Sequence, residues 1–314
     1  MARSATFPGM KQSVLVTGSG TGLGLETALY LAEQGYRVYA TVPFESQCET
    51  VRQAAAERGV ELRILLVDIT DQTTIDRAIS TLLEECGGIY ALVNNAAIAL
   101  RGYFEDLQEE EIRNIFGINV LGTMAMIRAV LPHMRRERAG RVVIITSIGG
   151  RVGSLAVSAY CSTKFAQEGF GESLAQEVKP FGIYVSLIEP SIVATERFGI
   201  NRGFAKLAFN PNSPYVEWFR TSQQLTDRLV RTSPTRPVHV AQAVHRALTA
   251  RRPRLRYVVG RRAWVVLALR RLLPDVLFER LYFDQVVRQV TNGRPAMEDE
   301  GRRTKDEEPT ITGY

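Results

Sequence analysis

Two periods alternate along this chain. Short apolar, β-branched runs stand at Val14–Val16, Arg37–Thr41, Leu62–Val67, Ala91–Val93, Arg141–Thr146 and Tyr184–Ile188. Between them, apolar residues recur every three to four positions, as at Leu25, Ala28, Leu29 and Ala32. An unbroken apolar run bounded by turn residues reads as a strand buried on both faces, and the longer period reads as a helix. Helices are expected from the glycines near residue 22 to Gly35, over Glu45–Arg58, from an Asp71 cap to about Glu85, and over Gln108–Arg138 with bends near Gly117 and Pro132. A further helix carries Tyr160 and Lys164 and runs to Lys179. Strand and helix alternating at this spacing predict an α/β fold, a doubly wound parallel sheet.

The regular pattern stops after Thr195. Residues 196–237 hold Phe198, Phe204, Phe209, Tyr215, Trp218 and Phe219 among prolines, glycines and asparagines, and are expected to form a substrate lid over the carboxyl edge of the sheet. A helix over Val238–Ala250, a last strand at Arg256–Val259 and a helical Arg261–Val290 broken at Pro274 complete the pattern. The expected organisation is an N-terminal segment (1–11), one domain (12–291) and a charged tail (292–314) that reads as disordered.

Two places carry candidate chemistry. Val14–Val16 leads into Thr17-Gly18-Ser19-Gly20-Thr21-Gly22-Leu23-Gly24 and then a helix. Glycines let the backbone approach a pyrophosphate, and the helix N-terminus offers free N–H groups and positive dipole. No Lys-Ser/Thr follows the last glycine, which excludes a P-loop. The second place is Tyr160-Cys161-Ser162-Thr163-Lys164, which sets a phenol and an ammonium on one helical face. An ammonium there favours the phenolate and is expected to lower the tyrosine's pKa. Ser147, at the end of Arg141–Thr146, would leave the sheet at its carboxyl end, where open α/β sheets bind ligands. A hydroxyl, a tunable phenol and a lysine meeting there suit proton transfer at a carbinol oxygen.

Charge and cysteines narrow the classes. Net charge is +6 over 314 residues, and Arg251–Arg271 holds eight arginines and no acid. Cys48, Cys86 and Cys161 lack paired spacing, and His133, His239 and His245 are scattered, so neither a disulfide framework nor a metal site is expected. Cys161 reads as a small residue packed under the site. Residues 1–11 lack an apolar signal core, and Trp264–Leu269 is too short to span a bilayer, so a cytoplasmic location is expected.

Taken together, these residues resemble the short-chain dehydrogenase/reductases in their single-domain form, closely over residues 12–195 and loosely beyond. Thr17-Gly18-x-x-x-Gly22-x-Gly24 is similar to that family's cofactor loop, and Asn94-Asn95-Ala96-Ala97 to its Asn-Asn-Ala-Gly motif, with Ala97 for glycine. Pro190-Ser191-Ile192-Val193-Ala194-Thr195 is similar to its Pro-Gly-x-x-x-Thr, with Ser191 for a glycine. The stretches Ser147–Arg151 and Tyr160–Leu187 look most like the branch acting on steroids and retinol. The resemblance implies a Rossmann fold and a tetrad of Asn119, Ser147, Tyr160 and Lys164, with Tyr160 as general acid/base. Ser147 would hold the substrate oxygen, Lys164 the nicotinamide ribose, and Asn119, in a bent helix, a relay water. It implies NAD or NADP held by Gly18, Ser19, Gly20, Thr21, Gly22, Leu23, Gly24, Asp68, Ile69, Asn94, Tyr160, Lys164, Val193 and Thr195, with Asp68 on the adenine.

The position after the second strand holds Val42-Pro43-Phe44, with no arginine for a 2′-phosphate, which leans the cofactor to NAD unless Arg37 or Arg63 reaches it. The expected partners are a lipophilic alcohol, ketone or aldehyde and further copies of the chain as a homo-oligomer. No recognition motif for nucleic acid accompanies the charge. Residues 251–271, arginines around Trp264 and an apolar stretch, are the candidate for peripheral membrane contact, against a packed helix with solvated arginines. The competing readings are a silent nucleotide-binding scaffold or sensor, and an epimerase or dehydratase that shares Tyr-x-x-x-Lys.

Overall fold

The computed structural model describes residues 12–194 and 202–292. The expectations for segment 1–11, for Thr195 and Phe198, and for the tail beyond Asn292 lie outside the described residues.

Seven strands form one wholly parallel sheet: β1 (Ser13–Val16), β2 (Arg37–Val42), β3 (Arg63–Leu66), β4 (Ala91–Asn94), β5 (Gly140–Ile145), β6 (Ile183–Pro190) and β7 (Arg256–Val259). Their spatial order is β3-β2-β1-β4-β5-β6-β7. The order reverses direction between β1 and β4, and that switch point opens a crevice at the carboxyl ends of the strands. One core cluster packs α1 (Gly22–Glu33) and α8 (Pro237–Thr249) on one face through Ala28, Leu31, Val240 and Val244. The other packs α3 (Gln72–Cys86), α5 (Thr123–Glu137) and α6 (Ser158–Val178) through Ile75, Met126, Val130 and Leu174. The single doubly wound domain expected from the alternation is what forms.

The expected long helix from Gln108 is α4 (Glu109–Phe116), a π-helical turn over Gly117–Gly122, and α5. Its length and apolarity would suit a membrane span, but Ile115, Met126, Ile127 and Met134 are fully buried in the fold. The bend falls at Asn119, where a π-turn breaks the regular ladder and redirects backbone carbonyls.

The region after Thr195 is more regular than the sequence suggests. Residues Arg202–Phe204 pair in parallel with Ala99–Arg101, and Val216–Arg231 forms a full helix, α7. Its inner face buries Val216, Phe219 and Val230 beside Ser222 and Gln223. The C-terminal run breaks at Pro274 as expected, into α9 (Arg261–Leu272), α10 (Asp275–Phe278), a π-turn over Glu279–Phe283 and α11 (Asp284–Thr291).

Candidate active site

The glycine loop is shaped by close approaches. Gly18 has φ +66°, and a Cβ there would stand 2.7 Å from the Cα of Ala96. A Cβ on Gly24 would meet the Gly18 carbonyl oxygen at 2.1 Å and Asn95 Nδ2 at 2.3 Å. Only glycine fits both positions. Asn95 fixes the loop from β4, its Nδ2 donating to the carbonyls of Thr17 and Gly18 at 3.0 Å each. Thr17 Oγ1 accepts from the backbone N–H groups of Asn95 and Ala96. The Ser19 hydroxyl turns inward to the Val16 carbonyl. No side-chain hydrogen bond caps α1, and its first-turn residues Gly22 and Leu23 line the cleft, where a helix N-terminus favours an anion.

Neither Ala97 nor Ser191 has positive φ; among the described non-glycine residues only Arg138 and Ala156 do. Ser191 donates its N–H to Val259 at 2.8 Å, and the positive φ of this corner falls on Gly260, φ +110°. A Cβ on Gly260 would meet Ser191 Oγ at 2.1 Å, so the serine side chain packs where only glycine leaves room.

The residues fit a dinucleotide. Asn94 is buried at the end of β4 with its Nδ2 unpartnered, a donor waiting for a ligand acceptor. Asp68 is exposed after β3, its Oδ1 held by the N–H and hydroxyl of Thr70, while Ile69 is buried against Gly122. Gln47, which the sequence reading passes over, lies against Gly20, where a Cβ would meet its Oε1 at 2.4 Å. Arg37 and Arg63 both bond Glu85, at 2.9 Å in each case.

Beyond the loop lies a cleft of about 1420 Å³. Gly22, Leu23, Ser147, Tyr160 and Val193 line it together. Ser147 Oγ accepts from Gly149 N–H at 3.0 Å and lines the cleft beside Tyr160, whose phenol it draws down against the rise from burial. Leu155, Phe165, Leu225 and Leu229 form apolar walls, and Tyr282 and Val286 extend them from the C-terminal helices. Cys161 is buried beside Tyr160, and burial raises its thiol pKa, as for an inert packed cysteine.

Lys164 and Asn119 stand behind this wall, both buried. Lys164 Nζ donates to the Ile145 carbonyl at 3.0 Å and to Gln167 Oε1 at 2.9 Å, and lies 5.7 Å from the centre of the Tyr160 ring. Burial pushes the lysine down to about 7. The expected lowering of the phenol is therefore not what the polypeptide alone produces. Desolvation raises Tyr160, the Ser147 hydroxyl opposes it, and the ammonium is bonded elsewhere. Asn119 Oδ1 accepts from Ile98 N–H, and its Nδ2 donates to the Ile98 carbonyl and Thr163 Oγ1. One turn beyond Lys164, a buried acid–arginine cluster joins Glu168, Glu189, Arg151 and Arg256. Sequence reasoning missed it because its members come from four separate elements.

Comparison with known proteins agrees with the geometry. The model of the short chain dehydrogenase family matches residues 12–202. The chain is 33% identical to 3-ketodihydrosphingosine reductase of Bacteroides thetaiotaomicron, over 85% of this chain and 95% of that protein. It is 34% identical to human retinol dehydrogenase 8, over 78% and 80% of the two chains. The crystal structure of a short-chain dehydrogenase from Streptomyces avermitilis superposes with a TM-score of 0.70 at 30% identity, covering 90% of this chain and 96% of that one. Loop, sheet order and sequence likeness agree: the chain belongs to the short-chain dehydrogenase family and is an oxidoreductase of its steroid- and retinol-dehydrogenase-like branch.

Proposed function

We propose that the protein interconverts an alcohol and its ketone or aldehyde on a lipophilic substrate, with Tyr160 as general acid/base and NAD(P) as the hydride carrier. The observation that supports it most directly is the cleft that sets Ser147 and Tyr160 among apolar walls. A bound nicotinamide supplies the hydride chemistry and a positive charge in its oxidised form. The protein's own part is placement. Ser147 and Tyr160 bracket the substrate oxygen, and the serine stabilises the charge that develops there. Tyr160 gives or takes the hydroxyl proton. Lys164 and Asn119 support the phenol from behind. Glycines 18, 20, 22 and 24, with Ser19, Thr21 and Leu23, cradle the pyrophosphate. Asp68, Ile69 and Asn94 flank the adenosine side and Val193 the nicotinamide side; Thr195, outside the described residues, is assigned there by its motif.

A lid role for this region is supported by α7, which lines the cleft through Leu225, Thr226 and Leu229 and is backed by an edge-to-face trio of Phe204, Phe209 and Phe219, while Tyr215 packs with Tyr103 and Trp218. A sphingoid ketone, a retinoid or a steroid all match the apolar walls, and the relatives' names span all three. The test is a panel of 3-ketodihydrosphingosine, retinal, steroid ketones and their alcohols with both cofactors, read by nicotinamide absorbance. Turnover of at least one lipophilic member, with small polar alcohols inert, is expected. Turnover of polar sugars alone would refute the lipophilic assignment.

A further inference from the structure

The Asn119 main-chain carbonyl is exposed by the π-turn and aimed at α6, but its two acceptor positions are already taken. Gln167 Nε2 donates to it at 2.6 Å and Thr123 Oγ1 at 2.8 Å. The same Gln167 carboxamide also donates to Thr123 Oγ1 at 3.1 Å, and its Oε1 accepts from Lys164 Nζ at 2.9 Å. Gln167 is buried, and so is every partner in this chain of contacts. The path from Lys164 to Asn119 therefore runs through one side-chain amide.

We propose that Gln167 is a positioning residue for Lys164: its carboxamide, anchored on the Asn119 carbonyl, holds the ammonium through its oxygen and sets how readily the lysine holds its proton. This rests on the reading of Lys164 as part of the active site. An amide has no titratable proton, so this clamp orients the ammonium and does not carry its proton onward. Three features make the clamp matter. Lys164 is desolvated, which disfavours its charge, so each hydrogen bond to the charged form counts. Its second acceptor, the Ile145 carbonyl, is fixed at the end of β5. The charged groups around it are few: Glu168 on its own helix, backed by Glu189 of β6, Arg256 of β7 and Arg151, with the Tyr160 phenol toward the cleft. Removing the Gln167 acceptor thus strips a contact that favours the ammonium and leaves the desolvation in place.

The chain has five lysines, Lys11, Lys164, Lys179, Lys206 and Lys305, so selective ¹³Cε-lysine labelling gives five signals, and Lys164→Arg identifies the one from Lys164. In cofactor-free protein its titration midpoint is expected near neutrality. Gln167→Met, close in volume but without the acceptor, should lower that midpoint by about one pH unit, the size expected for a hydrogen bond to a charged group. Gln167→Glu should raise it, since a carboxylate would then face the ammonium. The high-pH loss of kcat should move the same way, whereas a merely structural role would lower thermal stability and leave both midpoints in place. An unchanged Lys164 midpoint in Gln167→Met, or in Gln167→Glu should the methionine protein not fold, overturns the proposal. Turnover persisting in Tyr160→Phe would defeat the catalytic reading without touching this titration, so the two failures are told apart.

Discussion

Lys164 donates to the main-chain carbonyl of Ile145 across the end of β5, while the phenol four residues before it lines the cleft with Ser147. The two side chains of the Tyr-x-x-x-Lys pair thus face different neighbours, and their roles should separate on mutation. Tyr160→Phe is expected to cut kcat by at least about 10³-fold, within the range for loss of a general acid/base. Its dinucleotide affinity should stay within about twofold, because the glycine loop and Lys164 are untouched. Near wild-type turnover would remove Tyr160 from the mechanism.

Lys164→Ala should harm both kcat and cofactor affinity. It removes the proposed ribose contact and leaves the Ile145 carbonyl and Gln167 without their buried donor, at about 1–3 kcal/mol for each unsatisfied group. Isothermal titration with the cofactor beside steady-state kinetics checks this. A variant that loses turnover yet binds as the wild type does would assign Lys164 to the chemistry alone.

Glu189 sets a pH dependence of stability. It is fully buried, and desolvation together with the neighbouring Glu168 raises it to about 7, against the pull of Arg151 and Arg256. An unfolded glutamate titrates near ~4.3. Between the two values the native state binds more protons than the unfolded one, so stability should fall as pH rises from about 5 to 7. Glu189→Gln, which mimics the protonated acid, should flatten that slope in thermal melts across the range. A slope unchanged in the variant would show that Glu189 does not titrate there.

The cofactor should be NAD in preference to NADP. Arg37 and Arg63 stand at the amino ends of β2 and β3 and are both committed to Glu85. Gln47 beside Gly20 is neutral, and Phe44 after β2 is exposed. Comparison of kcat/KM for the two cofactors decides it, and a clear NADP preference would call for a phosphate partner elsewhere in the loop.

What could be read early and what could not follows from how each feature is encoded. The parallel sheet was legible because each strand is an unbroken apolar run, and the glycine loop because Gly18 and Gly24 answer a local steric demand. The bend in the helix after Gln108 was legible from Gly117. Gln167 was not: a glutamine on a helix carries no signal until the π-turn turns the Asn119 carbonyl toward it. The helix α7 was hidden behind the Asn-Pro-Asn-Ser-Pro stretch of residues 210–214, which reads as loop, and the Ala99–Arg101 and Arg202–Phe204 pair because three-residue strands leave no period. Arg256, counted from sequence with the basic stretch, belongs to the buried acid cluster, where Glu168 and Glu172 hold it at 2.9 and 2.6 Å.

The other seven arginines of 251–271 are all exposed, and they surround an uncovered apolar surface. Trp264 and Val265 on α9 are exposed, as are Leu269 and Leu272, and Val276, Leu277 and Leu281 continue the surface past Pro274. The Arg270 guanidinium lies over the Phe278 ring, 5.2 Å from its centre. Guanidinium groups around a tryptophan-bearing apolar face suit the interface of an anionic bilayer. The π-turn and α11 that follow also wall the cleft through Tyr282 and Val286, so a lipophilic substrate could pass from that face to Tyr160. Peripheral binding to phosphatidylserine-containing vesicles at low salt, reversed at high salt as screening weakens the charge term, is the expected result of co-sedimentation. Trp264→Glu should weaken it without altering turnover of a short, water-soluble substrate. Failure to sediment with anionic vesicles at low salt would end the membrane assignment and leave α9 as an exposed helix with solvated arginines.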